Sequence, residues 1–346
     1  MARADRPPTM DDVAAEAGVS RALVSLVMRG SPKVSDQRRE AVVAAAARLG
    51  YRPNAAARRL AERRSNTLGV VIDDLHNTYH ADVLDALHVE AEANGFRLLL
   101  NAAWLRGRNE SQAVEMFLEY RVDALILLGS RLEPDALAAF AAECPIVVIG
   151  GEVSGVDVVR NDDKRGGELA VEHLVELGHT YIAHIDGGEG AGADRRRRGF
   201  LDACAAHGVR SVVIPGDFSE ETGAEAIEHL LRDDELPTAI FAANDLVAVA
   251  AIDRLEAAGL KVPDDVSVVG YDNTWLAALR TVDLTTVNQP RREIGRVAAR
   301  CAQQRVDGRS SPVTHVVTPD LVVRSTSGPP SVPLPEVSRR VRGGQR

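Results

Sequence analysis

Apolar positions along this chain follow two different periods. Up to about residue 50 they recur at helical spacing: Val13, Ala14 and Ala17 share one face of a first short helix, and Val19, Leu23, Val24 and Val27 share one face of a second. A third helical run follows after Ser35, and a small helix is expected beyond Pro53. From Leu68 the period shortens. β-rich runs at 68–73, 97–102, 124–129, 145–150, 156–162, 181–186, 211–216, 239–245 and 266–272 predict strands. Between most of them lie stretches at helical spacing, such as ADVLDALHVEAEANG and GELAVEHLVELG. Strands alternating with helices imply right-handed crossovers and parallel sheets. Nine such strands are many for one sheet, so two doubly wound lobes are expected behind a small all-α head.

The head has its own punctuation. Thr9 followed by Asp12 matches a capping box, in which the hydroxyl accepts an orphan amide and the carboxylate reaches back. Gly18 permits a sharp turn that a side chain would resist. Ser20 is a good N-cap for a second helix running to about Arg29. Two short helices across a glycine turn make a helix-turn-helix, whose second helix enters the major groove. Arg21, Ala22, Ser25, Leu26 and Arg29 fall on its outward face. A plain helical hairpin would share these local features, and charge separates the two readings. Residues 1–64 hold thirteen Lys/Arg against seven Asp/Glu, a net of +6, while the whole chain is at −9 and the remainder therefore at −15. Such a sign split points to one segment that meets phosphate and another that does not.

Composition bounds the rest. Cys144, Cys204 and Cys301 are widely spaced with no CxxC, as in a reduced cytosolic protein with buried thiols. The opening MARADRPPTM has no apolar core of a secretory signal, and no run approaches the ~20 apolar residues of a membrane span. A cytoplasmic location with no membrane partner is expected.

Three pieces of the head, DVAAEAGVS, VSDQRREAVVAAAARLGYRPN and PNAAARRLA, resemble the lactose/galactose repressor (LacI/GalR) family of bacterial transcription regulators. The resemblance continues to about residue 326. It implies a periplasmic-binding-protein-like core of two lobes, with the chain crossing back near Gln289 and Pro319. It also implies a hinge helix after Pro53 that orders on operator DNA and wedges Leu60 into a minor-groove base step. Asn54, Ala57 and Leu60 join Thr9, Ser20, Arg21, Ala22, Ser25, Leu26 and Arg29 as the DNA-contacting set. One departure matters. Where the family often has VSxxTVSRVLNG, this chain has VSRALVSLVMRG, so Leu26 replaces a base-reading arginine. Arg21 could supply a guanine contact instead, and Leu26 could touch a thymine methyl.

In open parallel sheets ligands sit beyond the carboxyl ends of the strands. Polar residues cluster there: Asn244 and Asp245 end AIFAAND, Asp272 and Asn273 end VVGYDN, and Gln289 ends LTTVNQ. Such residues also cap following helices, the commoner role and the one expected for Asp245. The resemblance assigns effector contacts to Arg196 of RRRRGF, Asn244, Asp272 and Gln289, and to Tyr79 and His80 on the first lobe. Here Thr78 and His80 stand where relatives often carry proline and phenylalanine, and Gly150 where some sugar-responsive relatives carry aspartate. A histidine at a helix start is more often solvent-facing than a ligand contact. With Tyr79 the one clear aromatic, the expected effector is a small polar molecule, a sugar before a purine.

Other signals carry nothing. GGEGAG (187–192) lacks GxGxxG spacing, the histidines lack zinc spacing, and no Walker or GxSxG motif occurs, so neither cofactor nor metal is expected. Arg195–Arg198 is expected to be one ligand contact among solvated neighbours. The tail from Gly328 is Pro-rich, then basic, which predicts disorder; tetrameric members of the family it resembles end in a leucine-heptad coiled coil, and since no heptads occur here the resemblance implies a homodimer. The expected division is 1–52 head, 53–66 hinge helix and linker, 67–328 two-lobed effector-binding and dimerisation core, and 329–346 tail. The function expected is a transcriptional repressor bound to a near-palindromic double-stranded operator and controlled by an effector held between the lobes. The alternative is a small-molecule enzyme on a doubly wound fold, for which no catalytic motif is visible.

Overall fold

The computed structural model describes residues 6, 8–28, 31–51, 64–103 and 110–330. The chain divides into two compact units, Met1–Ser65 and Asn66–Arg346.

The first unit contains helices α1 (Met10–Ala17), α2 (Arg21–Met28) and α3 (Asp36–Leu49). Thr9 caps α1 as expected: its hydroxyl accepts from the Asp12 amide at 3.4 Å, and its amide donates to the Asp12 carboxylate at 2.9 Å. The Thr9 hydroxyl also donates to the Asp12 carboxylate at 2.7 Å, and this bond with the one from the Thr9 amide lowers the Asp12 carboxyl from its ordinary value to about 2. Gly18 ends α1 at φ 64°, the left-handed backbone the turn requires. The Ser20 hydroxyl accepts from the Leu23 amide at 3.2 Å, so α2 starts where the sequence places it. Val13, Val24, Val42 and Ala45 are fully buried and join the three helices into one core.

The second unit holds two six-stranded sheets. The first lobe is built from β1 (Thr67–Ile72), α4 (Thr78–Ala93), β2 (Arg97–Ala102), α5 (Glu110–Glu119), β3 (Ala124–Leu128), α6 (Pro134–Glu143), β4 (Ile146–Ile149) and β5 (Asp157–Asn161). The second is built from α7 (Asp163–Glu176), β6 (Tyr181–Ile185), α8 (Ala193–His207), β7 (Arg210–Ile214), α9 (Glu220–Leu230), β8 (Ala239–Ala242), α10 (Asp245–Ala257), β9 (Ser267–Asp272) and β10 (Thr285–Asn288). The chain then returns with α11 (Arg291–Val306) and β11 (Thr314–Val317) to the first lobe, and with β12 (Asp320–Val322) to the second.

The first sheet runs β11-β5-β4-β3-β1-β2 and is parallel throughout. The second runs β12-β10-β9-β8-β6-β7. Its edge strand β12 pairs antiparallel with β10: β10 and β11 both end at the linkers, and two residues after β11 the chain enters the second sheet from that edge, so β12 runs opposite to β10. Each sheet has helices on both faces, with α4 and α11 opposite α5 and α6 in the first lobe, and α9 and α10 opposite α7 and α8 in the second. The central strands are buried from end to end, as parallel strands covered on both faces must be. Three short segments link the lobes, at 161–163, 288–291 and 317–320. Two of them lie where the crossings near Gln289 and Pro319 are expected.

Candidate functional site

On the head, Arg21 and Ala22 are exposed on α2, and Arg21 lies 3.7 Å from Asp11 with both side chains largely in solvent. The outward placement of Leu26 needs correction. Its side chain is half-buried and packs with the head core, because an eight-residue helix resting on two partners buries more than half its circumference. Ser25 is also half-buried, and the Thr9 hydroxyl is engaged with Asp12. Arg29, Asn54, Ala57 and Leu60 lie outside the described residues, as do most of the expected hinge helix and residues 331–346 of the expected tail.

In the two-lobed unit, one cleft collects residues that the sequence leaves far apart. It is lined from the first lobe by Asp73, Asn77, Tyr79, His80, Gly129, Gly150 and Asn161, and from the second by Asp163, Ala191, Arg196, Phe218, Asn244, Asp272 and Gln289. All six expected effector contacts are among them. Most of the lining residues follow the carboxyl end of a strand, which is why parallel strands can deliver them to one edge.

Arg196 is the electrostatic centre. Its guanidinium is 3% exposed and lies 3.4 Å above the Tyr271 ring. It donates to Asp163 at 3.0 Å and to the Ala243 carbonyl. Burial lowers the tendency of this group to stay charged, but Tyr271, Asp163 and Asp272 more than offset it, so its pKa is raised. Tyr271 donates to the same Asp163 oxygen at 3.0 Å and accepts from Asn161 at 2.7 Å, which links the end of β5 to the start of α7. The other arginines of the run are not simply solvated. Arg195 reaches Asp163 and Glu152, Arg197 pairs with Asp186 at 2.6 Å, and Arg198 pairs with Asp194, so an acid faces each of them.

Asp272 ends β9 with φ 107°, a left-handed backbone that a non-glycine residue adopts only when its surroundings enforce it. Gln289 donates to it at 2.5 Å. Burial pushes its carboxyl up to about 7, against the opposing pull of Arg196. Asn244 caps α10, accepting from the Val247 amide at 2.8 Å, and donates to the Phe218 carbonyl at 3.0 Å. The helix-capping role expected of Asp245 therefore falls to its neighbour. Asp245 is fully buried and accepts from the Thr274 amide (2.6 Å), the Thr274 hydroxyl (2.9 Å) and the Thr286 hydroxyl (2.6 Å), tying down the loop that carries Asp272. Burial raises its carboxyl to about 6, although all three hydrogen bonds oppose the rise.

On the first lobe, Asn77 caps α4 by accepting from the Tyr79 amide at 3.0 Å. His80 is buried, not solvent-facing, because the turn after β1 folds back over the helix start. Its Nδ1 donates to the Asp74 carbonyl at 2.7 Å, leaving Nε2 3.4 Å from Asp73 Oδ1.

The sequence reading missed Asp73, Asn161, Asp163 and Phe218. Asp73 and Asp163 follow strand ends, a signal that was available. Phe218 sits in a loop at φ 70° and gives the cleft a second aromatic wall beside Tyr79. Two glycines of the segment 187–192 make room for it: a Cβ on Gly187 or Gly190 would collide with the Phe218 ring. Among the described residues no cluster of His, Cys, Asp and Glu is arranged to hold a metal, and no helix is long and apolar enough to cross a membrane.

Residues 9–54 match the family described as bacterial regulatory proteins, lacI family, and residues 171–327 match a periplasmic binding protein-like domain. The transcriptional regulator DegA of Bacillus subtilis is 36% identical over 332 residues, which cover 93% of this chain and 98% of that protein. The lac repressor dimer bound to operator and the anti-inducer ONPF superposes with a TM-score of 0.85 at 30% identity, covering 93% of this chain and 100% of that one. A transcriptional regulator CelR–cellobiose complex superposes with a TM-score of 0.70 at 34% identity, covering 92% and 100%.

Proposed function

The chain belongs to the lacI family of bacterial regulatory proteins and is a DNA-binding transcriptional regulator, and from that premise we propose that it is a homodimeric cytoplasmic repressor released or engaged by a small polar effector bound between its lobes. The observation that carries the effector reading is convergence. Six residues spread from Tyr79 to Gln289 meet at one cleft, and three short segments join the lobes that form its walls. A ligand touching both walls has a different affinity for different lobe angles. That difference is the free energy available to alter DNA affinity, and the coupling is reciprocal. The buried guanidinium, carboxylate and amides can donate and accept around a ring of hydroxyls, and the CelR–cellobiose complex supports a sugar.

On the DNA side, Arg21 reads a guanine, and Ser20, Ala22 and Ser25 accompany it along the groove. The positively charged hinge with Asn54, Ala57 and Leu60 enters the minor groove. Two copies related by a two-fold axis require a near-palindromic site. Similarity to DNA-binding transcriptional regulators favours the regulator reading over an enzyme.

Binding-site selection from random duplexes should return an inverted repeat. Arg196→Ala and Asp272→Ala should keep that site's affinity while losing the response to any sugar that stabilises the wild type. A folded variant of either kind that responds at the wild-type concentration refutes the assignment.

A further inference from the structure

The balance of unsatisfied groups in the cleft says more about its ligand. Among buried side-chain atoms without a hydrogen-bond partner, three belong to residues lining the cleft: Asp73 Oδ1, Asn161 Oδ1 and Arg196 Nε. Two are acceptors and one is a donor. The other Arg196 nitrogens are already committed to Asp163 and the Ala243 carbonyl. Asp73 lies on the first lobe and Asp272 on the second, so carboxyl groups face the ligand from both walls.

The charges agree. The cleft lining carries Asp73, Asp163 and Asp272 against Arg196 and His80, and Arg196 is paired with Asp163. Arg131 also acts on Asp73, but it is not part of the lining and lies 4.0 Å from Glu189. A ligand phosphate or carboxylate would bring acceptors and negative charge to Asp73, Asp163 and Asn161, and the only unpaired guanidinium donor among the described lining residues is Arg196 Nε, because its other nitrogens are held by Asp163 and the Ala243 carbonyl. A hydroxyl placed between Asp73 Oδ1 and His80 Nε2 has a proton to donate to either. The Asp73 carboxylate is packed against Gly129, where a Cβ would fall 2.6 Å from its Oδ2, so its position is set by the β3 turn and does not depend on a ligand.

Resting on the effector reading above, we propose that the effector is an uncharged polyol presenting hydroxyl donors to both lobes, and that Asp73 is the residue that selects it over phosphorylated or carboxylated analogues. Sites built to pair a hydroxyl reject ligands that leave their buried groups unpaired. Asn161 adds a second acceptor from the hinge side and favours a ligand long enough to span the two.

The test uses the full chain and paired probes: D-ribose with ribose 5-phosphate, D-glucose with glucose 6-phosphate, and cellobiose with cellobionate, each followed by thermal shift and calorimetry. At least one uncharged probe should bind, with its anionic counterpart at least about 100-fold weaker. Asp73→Asn, which swaps an acceptor for a donor at constant size, should narrow that ratio by about tenfold or more. Arg196→Ala should weaken both members and confirm that they share the cleft. An anionic probe that binds as tightly as its uncharged partner overturns the proposal, as does an unchanged ratio in a folded Asp73→Asn. Failure of every probe, charged or uncharged, would remove the effector reading and this inference with it.

Discussion

Replacing Asp245 by alanine should reveal how the second lobe holds its ligand-facing loop. The substitution removes the acceptor of three donors, the Thr274 amide, the Thr274 hydroxyl and the Thr286 hydroxyl, all on buried residues. The hydroxyls can rotate toward other partners, whereas the amide cannot. At about 1–3 kcal/mol for each group left unpaired, a loss of about 4 kcal/mol is expected where the carboxyl is protonated. The effect should shrink with pH. The folded carboxyl titrates at about 6 against an ordinary 3.8, so folding takes up a proton between these values. Stability linked to Asp245 is therefore full below pH 4 and falls as pH rises through 6. The two-unit difference is worth about 3 kcal/mol, which the wild type loses and the alanine variant does not. Destabilisation should thus be about 2.5 kcal/mol at pH 5, where about half of the linked stability is already gone, and about 1 kcal/mol at pH 8. Urea unfolding of the full chain at both pH values measures it, and Trp275, next to Thr274, reports on the loop by fluorescence. Equal destabilisation at the two pH values, or less than about 1 kcal/mol at pH 5, would refute the reasoning. Asp272, held at φ 107° beside this loop, should lose effector affinity in the same variant.

Other expectations follow from single contacts. Gly190→Ala drives a methyl into the Phe218 ring and should cost about 1–3 kcal/mol; a Phe218→Ala background should relieve most of it, so additive effects in a double-mutant cycle would argue against the contact. Thr9→Ala removes the cap of α1 and should cost about 1 kcal/mol, visible as faster hydrogen exchange at the Asp12 amide. Arg21→Ala should cost about 1–3 kcal/mol in operator affinity and relax preference at one base pair of each half-site; an even loss across sequences would mean it touches phosphate alone.

Local chemistry made the head and the positions of most strands legible from the sequence. A capping threonine, a glycine turn and a serine cap act within four residues of themselves, so Thr9, Gly18 and Ser20 hold in the fold the positions read from the chain. Long apolar runs flanked by helical spacing likewise announce buried parallel strands, because both faces of such strands must be apolar. The short edge strands β11 and β12 carry no such signal, since only one of their seven residues is buried. The cleft was legible only where a motif marked it. Tertiary structure alone decided that His80 is buried against Asp73, that Phe218 forms a wall, and that Asn244 caps a helix while Asp245 braces a loop. Neighbouring residues of nearly identical polarity took opposite roles there, because a side chain's partner across the cleft comes from a segment tens of residues away. The unpaired oxygens of Asp73 and Asn161 belong to the same class. Their residue types were plain in the sequence, and their lack of a partner exists only once two lobes enclose them.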